Sequence, residues 1–354
     1  MEKIKVLIVD DSAIVRTVLE EKLGNIKDIE VVGTAPDPYI ARDKIVKLEP
    51  DVITLDIEMP RMDGLTFLQK LMTYYPMPVI IVSSVTTKDS YASIKALEIG
   101  AFDVVNKPGG SISVNDIVDD IVMKIRQANE VKDSYVRRRI ELDGKLVKKP
   151  PVRHDPHILS NIATTDKLIA IGASTGGTVA LEYIFRNLPP NLPPIVVVEH
   201  MPAMFTRQFA DRLNEISELE VKEAEDGDLI APGTVYIAPG GMHLTIKRKG
   251  ALLFTQLLDT ERVHFQKPAV DVLFDSVAEE AGQNAIGFLL TGMGKDGAKG
   301  LLNMRNRGAY TVAQDERSSI VWGMPKTAVD LGAADEVTPL DDIPKRIVEL
   351  SQKK

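Results

Sequence analysis

The 354-residue chain contains no cysteine, which excludes disulfides, thiolate zinc sites and cysteine nucleophiles together. Its chemistry must use oxygen or nitrogen. No His-Glu-x-x-His occurs either, which argues against a zinc hydrolase. No apolar stretch approaches the ~18 residues that a membrane span requires, and Met1 to Asp10 run into an acidic pair without a basic leader or a cleavage site. A cytoplasmic protein with no membrane insertion is expected. An overall excess of positive charge is also missing: 43 Lys+Arg stand against 51 Asp+Glu, a formal charge of -8. That balance argues against a nucleic-acid coat. What remains is ordinary globular composition, 44% hydrophobic and 27% charged, which excludes collagen-like and broadly disordered chains. At ~150 residues per domain the length predicts two domains, each large enough for its own core.

Ile4 to Val9 is a β-branched apolar run, followed by Asp10-Asp11 and a helical pattern from Ser12 to Leu23. Similar runs at Val31 to Gly33, Val52 to Leu55, Val79 to Val82 and Asp103 to Val105 alternate with helix-length segments. This predicts a five-stranded, doubly wound parallel α/β domain over residues 1–125. Strand candidates resume at Lys167 to Ile171, Ile195 to Val198, Val235 to Ile237, Leu252 to Thr255, Ile286 to Leu290 and Tyr310 to Ala313, with helical segments such as Thr178 to Leu188 and Phe205 to Ser217. A second α/β domain is expected over 166–354, mostly a parallel sheet with an antiparallel portion around 235–255. Residues 126–165 read as a linker. Between Lys124 and Arg153 lie ten Lys+Arg and four acids, and the run ends near Pro150-Pro151. Such a segment reads as a solvated tether, with a basic arm for an acidic partner as the alternative; Tyr135 is its one interleaved aromatic residue.

In a parallel sheet the residues following each strand share the carboxyl edge. Asp10, Asp11, Asp56, Ser83 and Lys107-Pro108 all stand there, so three carboxylates, a hydroxyl and an ammonium should gather in one crevice. Helix N-capping explains any one such Asp but not the set. Three acids that close call for a hard divalent cation such as Mg²⁺. This half resembles the receiver domain of two-component response regulators, through Asp10-Asp11, Asp56 with Met59-Pro60 and Asp63-Gly64, Ser83, and Lys107-Pro108. The resemblance implies a phosphoacceptor at Asp56. It implies metal ligation by Asp11, Asp56 and the Glu58 carbonyl with Asp10 assisting, and phosphate sensing by Ser83 and Lys107. It departs at Val104, where receivers commonly carry an aromatic switch residue, so coupling through direct domain contact is expected instead.

In the second half, Gly172-Ala173-Ser174-Thr175-Gly176-Gly177 follows a strand and precedes a helix. The pattern suits a nucleophilic serine on a tight turn, and equally a glycine-rich turn that binds phosphate or packs closely. Partners favour catalysis: His200 and Asp296 also follow strands, and imidazole can take the serine proton while a carboxylate orients it. His154 and His157 lie in the linker and His264 in a loop, whereas His243 has a more site-like setting after Pro239-Gly240-Gly241. Asp271 and Asp315 are the competing acids. Residues 167–350 resemble the catalytic domain of bacterial chemotaxis protein-glutamate methylesterases, through Gly172 to Gly177, Glu199-His-Met-Pro202, Ala238-Pro-Gly240 and Thr291-Gly-Met-Gly-Lys-Asp-Gly297. The resemblance implies a Ser174, His200, Asp296 triad and an oxyanion contact at the Met293 N–H. Where the family usually has Pro-Ser-Val-Asp, this chain has Pro268-Ala269-Val270-Asp271.

The expectation is a phosphorylation-activated serine esterase of glutamate γ-methyl esters on chemoreceptors, with glutamine deamidation as a second activity. A chemotaxis histidine kinase would be the phosphodonor and methyl-accepting chemoreceptors the substrate. Mg²⁺ would serve the receiver, with no cofactor for the esterase and no nucleic-acid partner. The unphosphorylated receiver is expected to cover the triad. The alternative is a response regulator whose second half binds nucleic acid or protein, against which stand the acidic charge and the lack of a helix-turn-helix signature.

Overall fold

A computed structural model of the chain describes residues 3–83, 87–107, 114–133, 135–136 and 167–353. They belong to two compact units, Met1–Gly144 and Lys145–Lys354. In the first, β1 (Ile4–Val9), α1 (Ala13–Gly24), β2 (Ile29–Ala35), α2 (Pro38–Leu48), β3 (Val52–Leu55), α3 (Gly64–Tyr74), β4 (Val79–Ser83), α4 (Thr87–Ile99), β5 (Asp103–Asn106) and α5 (Val114–Glu130) alternate. The strands form one sheet in the order β2-β1-β3-β4-β5, and every pairing is parallel. Because β3 and β4 are covered on both faces, all their residues are buried, which is why they read as unbroken apolar runs. The helix starts fall where short polar side chains take up free N–H groups: Ser12, Asp37 and Asp63 cap α1, α2 and α3. None of the caps is an acid expected in the crevice, although Asp10 Oδ1 accepts the N–H of the capping Ser12 at 2.8 Å, leaving its other oxygen for the crevice.

Helix α5 runs on to Glu130. Tyr135, read from sequence as a linker aromatic, is instead buried edge-on against Phe102 with ring centroids 5.4 Å apart, and its hydroxyl donates to the Gly100 carbonyl. Ile121, Ile125 and Ala128 are buried on the same helical spacing. Apolar periodicity here outweighs the basic composition that suggested a tether. Residues 137–166, with most of the expected linker, His154 and His157, lie outside the described residues, as does Pro108.

The second unit contains β6 (Leu168–Ala173), α6 (Gly177–Arg186), β7 (Ile195–Glu199), α7 (Phe205–Ile216), β8 (Glu220–Glu223), β9 (Thr234–Ile237), β10 (His243–Lys249), β11 (Leu252–Leu258), α8 (Val270–Glu280), β12 (Ala285–Leu289), α9 (Ala298–Asn306), β13 (Tyr310–Gln314), α10 (Met324–Asp330), β14 (Glu336–Thr338) and α11 (Ile343–Gln352). Seven strands form a sheet in the order β14-β13-β12-β6-β7-β9-β8, again with parallel pairings throughout. The antiparallel portion expected around 235–255 starts later than that: Val235 to Ile237 belongs to the parallel sheet, and the antiparallel pair is a separate hairpin of β10 and β11. Closely spaced strand candidates suggested a single antiparallel block, but Pro239 to Met242 carry the chain out of the large sheet. The core beneath the sheet is built from Leu168, Ala170 and Val196 with Phe274, Leu289 and Leu301. β6 lies in the middle, and the chain continues to β7 on one side and reaches β12 on the other. That reversal opens a crevice at the carboxyl ends of β6, β7 and β12.

Candidate functional site

The first constellation follows from adjacent strands ending level. Asp10 and Asp56 succeed β1 and β3, and the Asp56 N–H donates to the Val9 carbonyl at 2.9 Å. One oxygen each from Asp10, Asp11 and Asp56 lies within 4.8 Å of the others. Lys107, just past β5, places Nζ 2.9 Å from Asp10 Oδ2 and 2.8 Å from Asp56 Oδ2. Ser83 is buried at the end of β4, and its carbonyl accepts the Lys107 N–H at 2.7 Å. Glu58 is exposed two residues beyond Asp56. The Asp63-Gly64 pair has a steric reason: a Cβ on Gly64 would lie 2.2 Å from the Asp56 carbonyl oxygen, so only glycine lets the loop fold back here. Burial, opposed by the Lys107 ammonium and reinforced by the charges of Asp10 and Asp11, pushes the Asp56 carboxyl up to about 6. Three carboxylates facing one ammonium leave surplus negative charge on hard oxygen donors, a set that fits a divalent cation such as Mg²⁺. Val104 is buried in β5 and offers no ring to act as a switch.

The second constellation stands on the crevice of the seven-stranded sheet. Ala173 is paired with Glu199 across β6 and β7, so the next residues, Ser174 and His200, leave neighbouring strands together. The His200 N–H donates to the Ala173 carbonyl at 3.3 Å and the Ser174 N–H to the Thr291 carbonyl at 3.0 Å. Glycines allow this crowding. A Cβ on Gly292 would come 2.9 Å from the Ser174 Cβ, and one on Gly177 would come 2.1 Å from a Glu199 carboxylate oxygen. His200 Nε2 lies 2.7 Å from Asp296 Oδ2, with both side chains nearly buried. Asp296 Oδ2 also accepts the Val270 N–H at 2.7 Å, and Oδ1 accepts the Asp271 N–H at 2.9 Å. The carboxylate therefore caps α8 from a distant loop, at the positive end of the helix. Burial alone would raise its pKa, but the His200 hydrogen bond and charge and the two backbone N–H groups outweigh burial and hold it below the usual range. Ser174 is 8% exposed. Among the described residues, neither its hydroxyl nor the Met293 N–H has a hydrogen-bond partner, so both are free for a ligand.

The competing acids are occupied elsewhere. Asp315 Oδ1 accepts the Ser318 N–H at 3.0 Å and so closes a local turn. Asp271 Oδ2 is 2.9 Å from His264 Nε2, and its Oδ1 accepts the Gly300 N–H at 2.7 Å. Burial, countered by the Gly300 N–H, reinforced by the charge of Asp296 and countered again by His264, leaves the Asp271 pKa above the ordinary value. His243, whose setting suggested a site, is a buried support: Nε2–H donates to the Glu261 carbonyl at 2.9 Å and Nδ1 accepts the Ala269 N–H at 3.2 Å. Sequence reasoning missed Gln314, whose side-chain oxygen accepts the Thr291 N–H at 2.8 Å and steadies the loop behind Ser174. A glutamine at the end of a strand carries no motif that would have marked it.

A five-stranded receiver with an acidic crevice, followed by an α/β unit bearing a serine, an imidazole and a carboxylate at one sheet edge, defines a response-regulator hydrolase. Residues 169–347 match the family model of the CheB methylesterase, and residues 6–119 that of the response regulator receiver domain. The protein-glutamate methylesterase/protein-glutamine glutaminase 2 of Syntrophus aciditrophicus is 54% identical over 350 residues, covering 99% of this chain and 100% of that one. The corresponding protein of Sulfurimonas denitrificans is 51% identical, with 98% of each chain covered. The CheB methylesterase catalytic domain of Thermotoga maritima is similar in structure, with a TM-score of 0.52 and 45% identity, covering 53% of this chain and 100% of that one. The chain belongs to the CheB family of receiver-linked methylesterases.

Proposed function

We propose that this chain hydrolyses γ-methyl esters of glutamate on chemoreceptors, releasing methanol, and deamidates receptor glutamine in the same site, under control of phosphorylation at Asp56. The observation that carries the reading is the 2.7 Å contact of His200 Nε2 with Asp296 Oδ2 beside a Ser174 hydroxyl with no partner among the described residues. With Nε2–H donated to Asp296, the base is His200 Nδ1. Ser174 Oγ attacks the ester carbonyl as Nδ1 takes its proton, and the Met293 N–H receives the oxyanion. The C–O bond to methanol then breaks and His200 returns the proton to the leaving oxygen. Water, activated by the same imidazole, cleaves the acyl-serine and leaves glutamate. Replacing methanol by ammonia as leaving group gives the glutaminase reaction with no change of residues. Asp296 keeps the tautomer and offsets the imidazolium charge.

In the receiver, an Asp56 oxygen attacks the phosphorus of a phosphodonor such as the phosphohistidine of a chemotaxis histidine kinase, the P–N bond breaks and the donor imidazole leaves, and Lys107 pairs with the transferred phosphoryl group. Ser83 supplies a hydroxyl to the new dianion. Asp10, Asp11, Asp56 and the Glu58 carbonyl would hold Mg²⁺, which when bound neutralises phosphoryl charge. A receiver domain over 1–125 and a catalytic domain over 166–354 fit this division of labour, although the first unit reaches into the expected 126–165 linker, with α5 running to Glu130 and Tyr135 buried beyond it. No helix among the described residues is long and apolar enough to cross a membrane, in keeping with a cytoplasmic enzyme acting on receptor tails. The alternative of a nucleic-acid- or protein-binding output is not favoured, because the esterase family match occupies that half. The test is methanol release from methylated chemoreceptor membranes: release is expected, and intact esters after prolonged incubation with a phosphodonor would contradict the reading.

A further inference from the structure

Phe265 is the most exposed large apolar side chain among the described residues of the second unit, 77% accessible. It stands at the tip of a two-residue turn: the Val263 N–H donates to the Gln266 carbonyl at 3.1 Å and the Gln266 N–H to the Val263 carbonyl at 2.9 Å. His264 and Phe265 both take left-handed backbone, at φ 52° and 64°. That is the conformation of a type I′ turn, which normally selects Asn-Gly, and bulky residues there are strained. The strain is held by named contacts. His264 Nε2 binds Asp271 Oδ2 at 2.9 Å, and the Asp271 N–H donates to Asp296 Oδ1 at 2.9 Å. On the other side Lys267 is paired with Asp259, and its carbonyl accepts the Gly241 N–H at 3.0 Å. The turn is thus strapped between the carboxylate that serves His200 and the loop after β9, and the strap leaves Phe265 in solvent.

A second strained apolar residue stands on the same ledge of loops. Met204 has φ 77° and is 46% exposed, four residues beyond His200. A Cβ on Gly240 would lie 2.2 Å from the Ala203 N, so the 201–204 loop rests directly on the 239–241 loop that joins the Phe265 turn. Left-handed non-glycine residues persist where surrounding contacts over-determine them, and they concentrate at ligand clamps. Two such residues, both presenting apolar side chains, stand on loops tied to the residues of the crevice, Met204 four positions after His200 and Phe265 next to the His264 that binds Asp271. Ser174 is only 8% exposed. A glutamyl side chain can reach it by insertion, while the polypeptide that bears the glutamate stays outside at the rim.

We infer that Phe265, with Met204, is the docking contact for the substrate protein: the two side chains cover apolar groups of the polypeptide that flanks the target glutamate. The inference rests on the esterase reading and adds to it how the substrate is engaged. Full-length wild type, Phe265→Ser, Phe265→Leu and Met204→Ser are compared on methylated chemoreceptor membranes and on N-acetyl-glutamate γ-methyl ester amide, a single-residue substrate with no flanking polypeptide. Phe265→Ser should raise KM on receptors about tenfold more than on the single-residue ester, with kcat carrying little of the loss. Met204→Ser should act in the same direction, and Phe265→Leu, which keeps an apolar group on the same backbone, should recover most of the effect. Losses on receptors no greater than on the single-residue ester, or no recovery by leucine, would overturn the inference. If wild type releases no methanol from receptors, the esterase reading falls and the inference with it, a pattern distinct from a defect confined to the variants.

Discussion

Replacing Asp296 by asparagine perturbs one atom and tests most of the catalytic geometry. The carboxylate accepts three hydrogen bonds, from His200 Nε2 and the Val270 N–H on Oδ2 and from the Asp271 N–H on Oδ1. Each oxygen therefore faces a backbone donor. An amide NH₂ must confront one of them in either orientation, leaving a buried N–H without an acceptor at a cost of about 1–3 kcal/mol. If the nitrogen takes the Oδ2 position, His200 Nε2 has to become an acceptor and its proton moves to Nδ1, so the base is lost. If it takes Oδ1, the tautomer survives but the charge that offsets the imidazolium does not. By the behaviour of carboxylate-to-amide changes in other serine hydrolases, kcat should fall about 10³- to 10⁴-fold. The pH dependence has a definite sign. Although burial raises it, the His200 and backbone contacts leave the folded pKa of Asp296 below its ordinary 3.8, so the unfolded state binds the extra proton. Its stabilising contribution is fully present above pH 3.8 and is lost as pH falls through the lower folded value. The chain has one tryptophan, Trp322, whose Nε1–H donates to the Gln314 carbonyl at 3.0 Å in this same unit. Urea titration of its fluorescence at pH 7 should place Asp296→Asn below wild type, with the gap closing under acid. A variant as stable as wild type that keeps a tenth of its methanol release would refute the reasoning.

Three further outcomes follow from the same geometry. Mg²⁺ binds ionised carboxylates, and Asp56 is pushed up to about 6 by burial, so affinity in calorimetry should hold above pH 7 and fall by up to about tenfold per unit below pH 6. An affinity unchanged at pH 5 would place the ion elsewhere. Gly177→Ala puts a methyl 2.1 Å from a Glu199 carboxylate oxygen and 2.7 Å from the Ala173 Cβ; it should destabilise the second unit by about 1–3 kcal/mol in the Trp322 titration and depress turnover. A small-molecule phosphodonor should raise the esterase rate of wild type and leave Asp56→Asn at its basal rate, whereas equal stimulation of both would remove Asp56 as the control point.

The sheet positions were legible because buried parallel strands are continuous apolar runs: β1 and β3 coincide with the sequence reading, and the residues after them carry the acidic crevice. Strands that lack this signature escaped it. β8 and β14 are edge strands with exposed positions, and β10 is buried in its first half and polar in its second. The alcohol, imidazole and acid could be named because each directly follows or lies close behind a central strand, although Ser174 and Asp296 are 122 positions apart. Their support was hidden for a different reason. The hold of the Val270 and Asp271 N–H groups on Asp296 uses backbone atoms, which no side-chain pattern encodes. The His264-Phe265 turn lacks the Asn-Gly signal of its conformation, because tertiary contacts rather than local preference fix it.

The most direct measurement compares wild type with Ser174→Ala on methylated chemoreceptor membranes, with Trp322 fluorescence verifying that both are folded. The account predicts methanol from wild type and a loss of at least about 10³-fold in the variant. Methanol release by Ser174→Ala at the wild-type rate would contradict it.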